Sequence, residues 1–309
     1  MQTERKTPLI DLKGVSKSFG THRVLESVDL KVHSEQVLGL LGRNGAGKST
    51  LIDIMCGMLA ADAGKVSICG CNPASRPARK LIGCAPQDIG VYPDLTVRQN
   101  LACYGAIEGL SRRKSLERAQ EVMKLLGIEE QARQNARNLS GGQRRRLHAG
   151  MAIMHKPRVV FMDEPTVGAD VEARSRLLKT VRALADEGAA VVYTSHYLAE
   201  FEELGADIAV LNDGRIVASG TLDGIVRKHA RASVVVKFAG SSPAIPGWKA
   251  AAEGIQPVEE PIDPGRAIAD LLANPAARGL KVDDIRIEKA NLQSAYLAII
   301  GEKEVDDAA

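Results

Sequence analysis

A chain of 309 residues, 45% of them apolar, is long enough to bury a full core and predicts one large domain with a smaller one beside it. A formal net charge of +3 against 26% charged residues excludes a chain-wide attraction to polyanions. The opening MQTERKTPLI lacks the apolar core of a secretory leader, and no stretch approaches the roughly 18 uninterrupted apolar residues of a membrane span, so a cytosolic chain is expected. The cysteines Cys56, Cys69, Cys71, Cys84 and Cys103 show no CxxC spacing, which favours buried thiols over a metal centre.

In chain order, residues 9–12, the alternating Val28, Leu30 and Val32, and the pair Val66 and Ile68 predict short strands of an antiparallel sheet. Between them the apolar run Val37–Leu41 enters a glycine-rich turn. Leu51, Ile54, Met55, Met58 and Leu59 then mark one face of a helix. Residues 94–156 carry helical periods and few strand-like runs, and predict an inserted helical subdomain. Residues 159–162 and Ala190–Thr194 are further buried strands, with a helical face of Leu177, Leu178, Val181 and Leu184 between them. Strands that feed helices predict an α/β fold with a parallel sheet. Near residue 230 the composition changes: a strand-like SVVVKF, a Pro/Gly/Ala-rich stretch over 239–265 with the only tryptophan, Trp248, a helix at 267–272, a strand at 282–287 and a helix at 292–300. The expected division is 1–230 and 231–309, the latter a small α+β appendage.

GRNGAGKST at 42–50 fits G-x-x-x-x-G-K-[ST] between a strand and a helix. There Gly42, Gly45 and Gly47 let backbone N–H groups close on phosphate oxygens at a helix N-terminus. Lys48 suits the β- and γ-phosphates, and the Ser49 hydroxyl suits Mg²⁺. The run VVFMDEP ends a buried strand in two acids, which is costly unless a cation or proton is held there. Asp163 is the candidate for the Mg²⁺ shell and Glu164 for polarising an attacking water; taken alone, the pair also fits a solvated strand end. Neighbours on a strand point to opposite faces, so the two acids are expected to have separate jobs. Ser195 and His196 close the third run, and a strand-end histidine is structural unless a γ-phosphate lies beside it. Ligands of open α/β sheets bind at such strand ends.

LSGG at 139–142 opens a helical period, so Ser140 stands where an N-cap belongs and Gly141 and Gly142 expose N–H groups, a second anion site. Arg144, Arg145 and Arg146 follow, about 100° apart around the helix. They make no single basic face, and a nucleic-acid partner is not expected.

Over about residues 8–228 the chain resembles the ATP-binding cassette family, which implies a P-loop NTPase core. The motifs are Gly42, Asn44, Gly45, Ala46, Gly47, Lys48, Ser49 and Thr50 in Walker A, Gln87 of the Q-loop, the LSGGQ signature with Ser140, Gly141, Gly142 and Gln143, residues 159–164 as Walker B, Asp170 of the D-loop and the switch His196. Phe19 stands where the family stacks an aromatic on adenine. The resemblance implies ATP and Mg²⁺ as cofactors, with Ser49, Gln87 and Asp163 around the metal and Lys48, Glu164 and His196 catalytic. It implies a head-to-tail homodimer in which Ser140, Gly141 and Gly142 of one chain meet the γ-phosphate on the other, with Gln87 passing movement to a partner. The run QDIGVYPDLTVRQNLACYGAIEGL and the closing NLQSAYLAIIG look like the daunorubicin-resistance type of bacterial export ATPases. That type works with separate membrane permease chains, at the cytoplasmic face of the membrane. Ala169 replaces the family's usual leucine, which loosens a packing contact, and Gln143 departs from that subfamily. The competing expectation is a soluble ATP switch of the same superfamily; the chain has neither the long coiled-coil insertion of repair members nor the second cassette of translation members. Residues 231–309 are expected to be a stabilising tail, with a regulatory domain as the sharper alternative.

Overall fold

The computed structural model describes residues 7–306 except 231, 241, 252–253, 259–262 and 289. Residues 1–6, part of the leader argument, lie outside that set, as do portions of the 239–265 stretch. The described chain divides into two compact units at Thr221 and Leu222.

The first unit opens on a hairpin of β1 (Ile10–Phe19) and β2 (His22–Val32), both longer than their apolar alternation suggests. Next come β3 (Val37–Leu41), α1 (Lys48–Met55), β4 (Ala63–Ile68), the single turn α2 (Arg76–Arg79) and β5 (Ile82–Ala85). Three helices follow within 94–156: α3 (Val97–Ile107), α4 (Arg112–Leu126) and α5 (Gly141–Ala152). The unit closes with β6 (Val159–Asp163), α6 (Val171–Asp186), β7 (Ala190–Thr194), α7 (Leu198–Leu204), β8 (Asp207–Asn212) and β9 (Arg215–Thr221).

Two sheets result. The antiparallel one runs β2-β1-β4, and the larger runs β5-β6-β7-β3-β8-β9. All pairings of the larger sheet are parallel except β8 with β9. Strands β3, β6 and β7 are buried along their whole length, as continuous apolar runs demand of a parallel sheet covered on both faces. Leu177, Leu178, Val181 and Leu184 are buried on α6 as their spacing predicts. Each such side chain contributes about 1.5–3 kcal/mol relative to exposure.

The face predicted for α1 is too long. The helix stops at Met55, and Met58 is 60% exposed. Gly57, at φ 72°, sits so close to Pro73 that a Cβ there would come within 2.5 Å of its backbone, and the chain turns instead of continuing the helix. Strands β5, β8 and β9 escape the sequence reading altogether. Buried Asn100 on α3 pins the segment after β5: its amide donates to the Tyr92, Leu95 and Thr96 carbonyls and its oxygen accepts from Tyr92 N at 2.8 Å.

The second unit begins with α8 (Leu222–His229), so this helix parts from the segment that the composition change assigns it to. It continues with β10 (Ser233–Phe238), β11 (Trp248–Ala251), β12 (Gly254–Pro257), α9 (Pro264–Ala273), β13 (Val282–Glu288) and α10 (Leu292–Asp306). The sheet order is β11-β12-β10-β13, around a core of Val234, Val236, Phe238, Ile255 and Leu271. The 239–265 stretch contributes two short strands, paired antiparallel from Trp248 with Pro257 to Ala251 with Gly254. Among the described residues no helix is long and apolar enough to cross a membrane.

Candidate functional site

The carboxyl ends of β3, β5, β6 and β7 open on one cleft of ≈450 Å³. It is lined by Asn44, Gly45, Gly47, Lys48, Ser49, Thr50, Gln87, Asp163, Glu164 and His196, and by Val24. Four separate stretches of chain thus deliver the predicted residues to one place.

The loop after β3 is shaped by Gly47, at φ 101°. A side chain here would be strained by that φ and would lie 2.9 Å from Leu25 Cδ2 and 3.0 Å from the Val24 carbonyl, so β2 backs the loop directly. Gly47 caps α1 without a side-chain hydrogen bond, and the first turn of that helix lines the cleft. Such an N-terminus favours an anion. Lys48 Nζ donates to the carbonyls of Gly42 at 2.8 Å and Arg43 at 3.1 Å. Burial draws its ammonium below the usual lysine range, while Glu164 and Asp163 oppose the shift. Gly42 and Ala46 are not lining residues.

Asp163, the last residue of β6, accepts from Thr194 Oγ1 at 2.5 Å and from Ser49 Oγ at 3.1 Å. A serine hydroxyl and a carboxylate brought together at the foot of a phosphate loop are hard oxygen donors of the kind Mg²⁺ takes, so the residues present fit that ion. Gln87 turns its amide to Glu164 Oε2, at 3.4 Å.

Glu164 does not follow strand alternation. At φ 51° it leaves β6 in the left-handed region, and both acids reach the same cleft. That conformation costs about 1–2 kcal/mol for a residue with a Cβ, and four contacts offset it. The Glu164 amide donates to Thr194 Oγ1 at 2.9 Å and its carbonyl accepts from Arg145 Nη1 at 3.0 Å. Oε1 meets His196 Nε2 at 2.6 Å, and Oε2 accepts from Gln87. The two residues share Thr194 Oγ1, but their carboxylates have different partners, although not for the reason of opposite strand faces. Ser195 turns away: its hydroxyl accepts from Tyr197 N.

The signature residues lie outside their own chain's cleft. Ser140 caps α5, accepting from Gln143 N at 3.2 Å, while the Gln143 side chain accepts from Ser140 N at 2.9 Å. This reciprocal box leaves Gly141 exposed at the helix start. The arginines diverge as their angular spacing requires: Arg145 reaches Glu164, Arg146 donates to the Leu126 and Gly127 carbonyls at the end of α4, and Arg144 is exposed. Asp170 caps α6, accepting from Ala173 N at 2.8 Å. Phe19 is 52% exposed and is not a lining residue, with Lys17 Nζ 5.5 Å from its ring centroid. Sequence reading missed Val24, Thr194 and Arg145.

The model of the family described as "ABC transporter" matches residues 25–167. The daunorubicin resistance ATP-binding protein DrrA3 of Streptomyces coeruleorubidus is 30% identical over 319 aligned residues, covering 97% of this chain and 98% of that protein. The chain belongs to the ATP-binding cassette family. The Nod factor export ATP-binding protein I of Rhizobium sp. (strain N33) is 38% identical over 234 residues, 75% of the cassette chain and 77% of its own. Among solved structures, one titled "Structure of ATP binding subunit of ABC transporter" superimposes with a TM-score of 0.66 at 29% identity, covering 71% of this chain and 92% of that one. The cassette is thus an ATP-hydrolysing subunit homologous to the ATP-binding proteins of exporters, the daunorubicin-resistance type included, and its core is the α/β P-loop NTPase fold.

One titrating group within the cassette has a measurable consequence. His148 on α5 is buried, and burial, reinforced by the charge of Arg145, pushes its imidazole from 6.5 down to about 4. Between those values the unfolded chain binds the proton that the folded chain refuses, so stability falls as pH drops from about 6.5 towards about 4. His148→Gln should lose about 2 kcal/mol less than the parent between about pH 7 and about pH 4.5. Urea unfolding at both pH values measures this, and equal losses in the two proteins would refute the burial account.

Proposed function

We propose that the cassette powers an exporter through a separate integral membrane permease, working as a head-to-tail homodimer at the cytoplasmic face of the membrane. The observation that carries this is the capped start of α5: an anion-ready Ser140, Gly141 and Gly142 that stand outside the chain's own cleft. In this reading such a site meets the phosphate held by a second copy. The names of the relatives support export, and the absence of a spanning helix among the described residues is in keeping with a permease on another chain.

In this reading Gly45, Gly47, Asn44, Ala46, Thr50 and Lys48 hold the triphosphate and Phe19 the adenine. Ser49 and Asp163, with Gln87, would hold Mg²⁺, which supplies charge neutralisation when bound. Glu164 takes the proton of the attacking water through its carboxylate, which lies 2.6 Å from His196 Nε2, and with nucleotide bound the His196 N–H turns from Glu164 to the γ-phosphate. Gln87, between Glu164 and the helical segment 94–156, passes the state of the site to the permease, and Asp170 lies at the dimer seam. The second unit stabilises the assembly as an accessory domain.

The test is affinity capture of the tagged Glu164→Gln protein from detergent-solubilised host membranes with ATP present. Near-stoichiometric recovery of a polytopic membrane protein is expected. Recovery of soluble partners, ribosomes or DNA in its place would establish the soluble ATP switch instead.

A further inference from the structure

A third buried carboxylate, beside those of Asp163 and Glu164, lies close to the hydrolytic groups and has no part in the roles described so far. Glu200, in the first turn of α7, is 2% exposed. Its Oε2 accepts from Thr166 Oγ1 at 3.0 Å and from Tyr193 OH at 2.8 Å. Its Oε1 stands 3.2 Å from Arg174 Nε, but the approach is too oblique for a hydrogen bond, and neither buried atom has one. Buried polar atoms are almost always satisfied, and a buried carboxylate with one oxygen half-met is costly. An exception of this kind needs a reason.

The partners of Glu200 belong to the segments that carry the chemistry. Thr166 follows Glu164 across Pro165, and Tyr193 precedes the Thr194 that holds both Asp163 and the Glu164 amide. Glu200 itself lies four residues beyond His196, at the start of α7. Arg174 lies one turn beyond Asp170, with its guanidinium 4.2 Å from the ring centroid of Tyr197, the neighbour of His196. One carboxylate therefore ties the Glu164 segment, the His196 segment and the start of α6 together.

We propose that Glu200 is a positioning residue for hydrolysis: its satisfied oxygen fixes the His196 segment against the Glu164 segment, and its oblique contact with Arg174 is a joint that aligns when the Asp170 segment moves. This deepens, and rests on, the assignment of Glu164 and His196 as the hydrolytic pair. A carboxylate at this place acts on the rate of the chemical step rather than on nucleotide affinity, because none of its partners lines the cleft.

Steady-state ATPase assays on Glu200→Gln, Arg174→Met, Arg174→Lys and the Glu200→Gln/Arg174→Met double variant test it. Glutamine keeps an oxygen for Thr166 and Tyr193, removes the charge facing Arg174 and turns the acceptor on that side into an amide donor, so the contact with Arg174 is lost. Each of Glu200→Gln and Arg174→Met should lower kcat about tenfold with KM for ATP within about twofold of the parent, and the double variant should be no slower than the worse single. Arg174→Lys should recover most of the rate. Arg174 is 31% exposed, so its variants serve even if a change at Glu200 prevents folding. A folded Arg174→Met with parental kcat, losses that multiply in the double variant, or a rise in KM matching the fall in kcat would each overturn the positioning role. Glu164→Gln is assayed alongside. Parental turnover there would overturn the hydrolytic assignment itself, whereas an inactive Glu164→Gln beside an undiminished Arg174→Met would sink the positioning role alone.

Discussion

Glu164→Gln should lower ATP turnover about 1,000-fold, within the range a positioned general base contributes, while ATP binding persists. The amide matches the carboxylate in shape but cannot accept the water's proton. The backbone that holds the side chain is unaffected, because the Glu164 amide and carbonyl are fixed by Thr194 and Arg145, not by the carboxylate. The lining glycines, Lys48 and Ser49 are likewise unchanged, so nucleotide affinity should stay within about twofold of the parent. Single-turnover kinetics with a parallel binding titration separate the two effects. A variant that hydrolyses at the parental rate would remove Glu164 from the chemistry, and one that no longer binds ATP would give it a structural role.

Ser140→Ala should weaken ATP-dependent dimerisation about 10- to 100-fold, since a hydrogen bond to a charged acceptor is worth about 1.5–3 kcal/mol. The same change removes the cap on α5, which costs about 1 kcal/mol of helix stability. Thermal unfolding of the monomer isolates that second loss. Sedimentation velocity in the Glu164→Gln background, with and without ATP, reads the first. Undiminished dimer formation would show that the start of α5 serves no nucleotide on another chain.

Much of this cassette is legible in its sequence because the phosphate loop and the acid pair are local patterns with a local cause. The strand ends at Leu41, Asp163 and Thr194 announce themselves as apolar runs that stop abruptly. Strands β5 and β9 were not legible, whereas β8 was overlooked, since Ile208, Ala209, Val210 and Leu211 form a continuous buried apolar run. Ile82–Ala85 is short and contains a glycine, and β9 offers only the three half-buried apolar residues Ile216, Val217 and Ala218 between exposed ends. Their pairing is decided by neighbours far away in the chain, which no window of sequence contains. Thr194 was within reach, as a hydroxyl ending a buried strand opposite Asp163 in register. Arg145 was not, since its neighbours Arg144 and Arg146 are chemically identical and only the turn of α5 selects among them. The separate roles of Asp163 and Glu164 were expected from strand geometry that Glu164 does not obey. A left-handed residue after a strand leaves no mark on composition.

The hydrogen bond from Arg145 to the Glu164 carbonyl has a mechanical meaning. Helix α5 begins with the signature and is linked by this one guanidinium to the peptide plane of the base, across 3.0 Å. The start of the signature helix and the left-handed torsion of Glu164, at φ 51°, are therefore joined by a single side chain's reach. The backbone of the base is thus held from two sides, by Arg145 of this helix and by Thr194 at the end of the neighbouring strand.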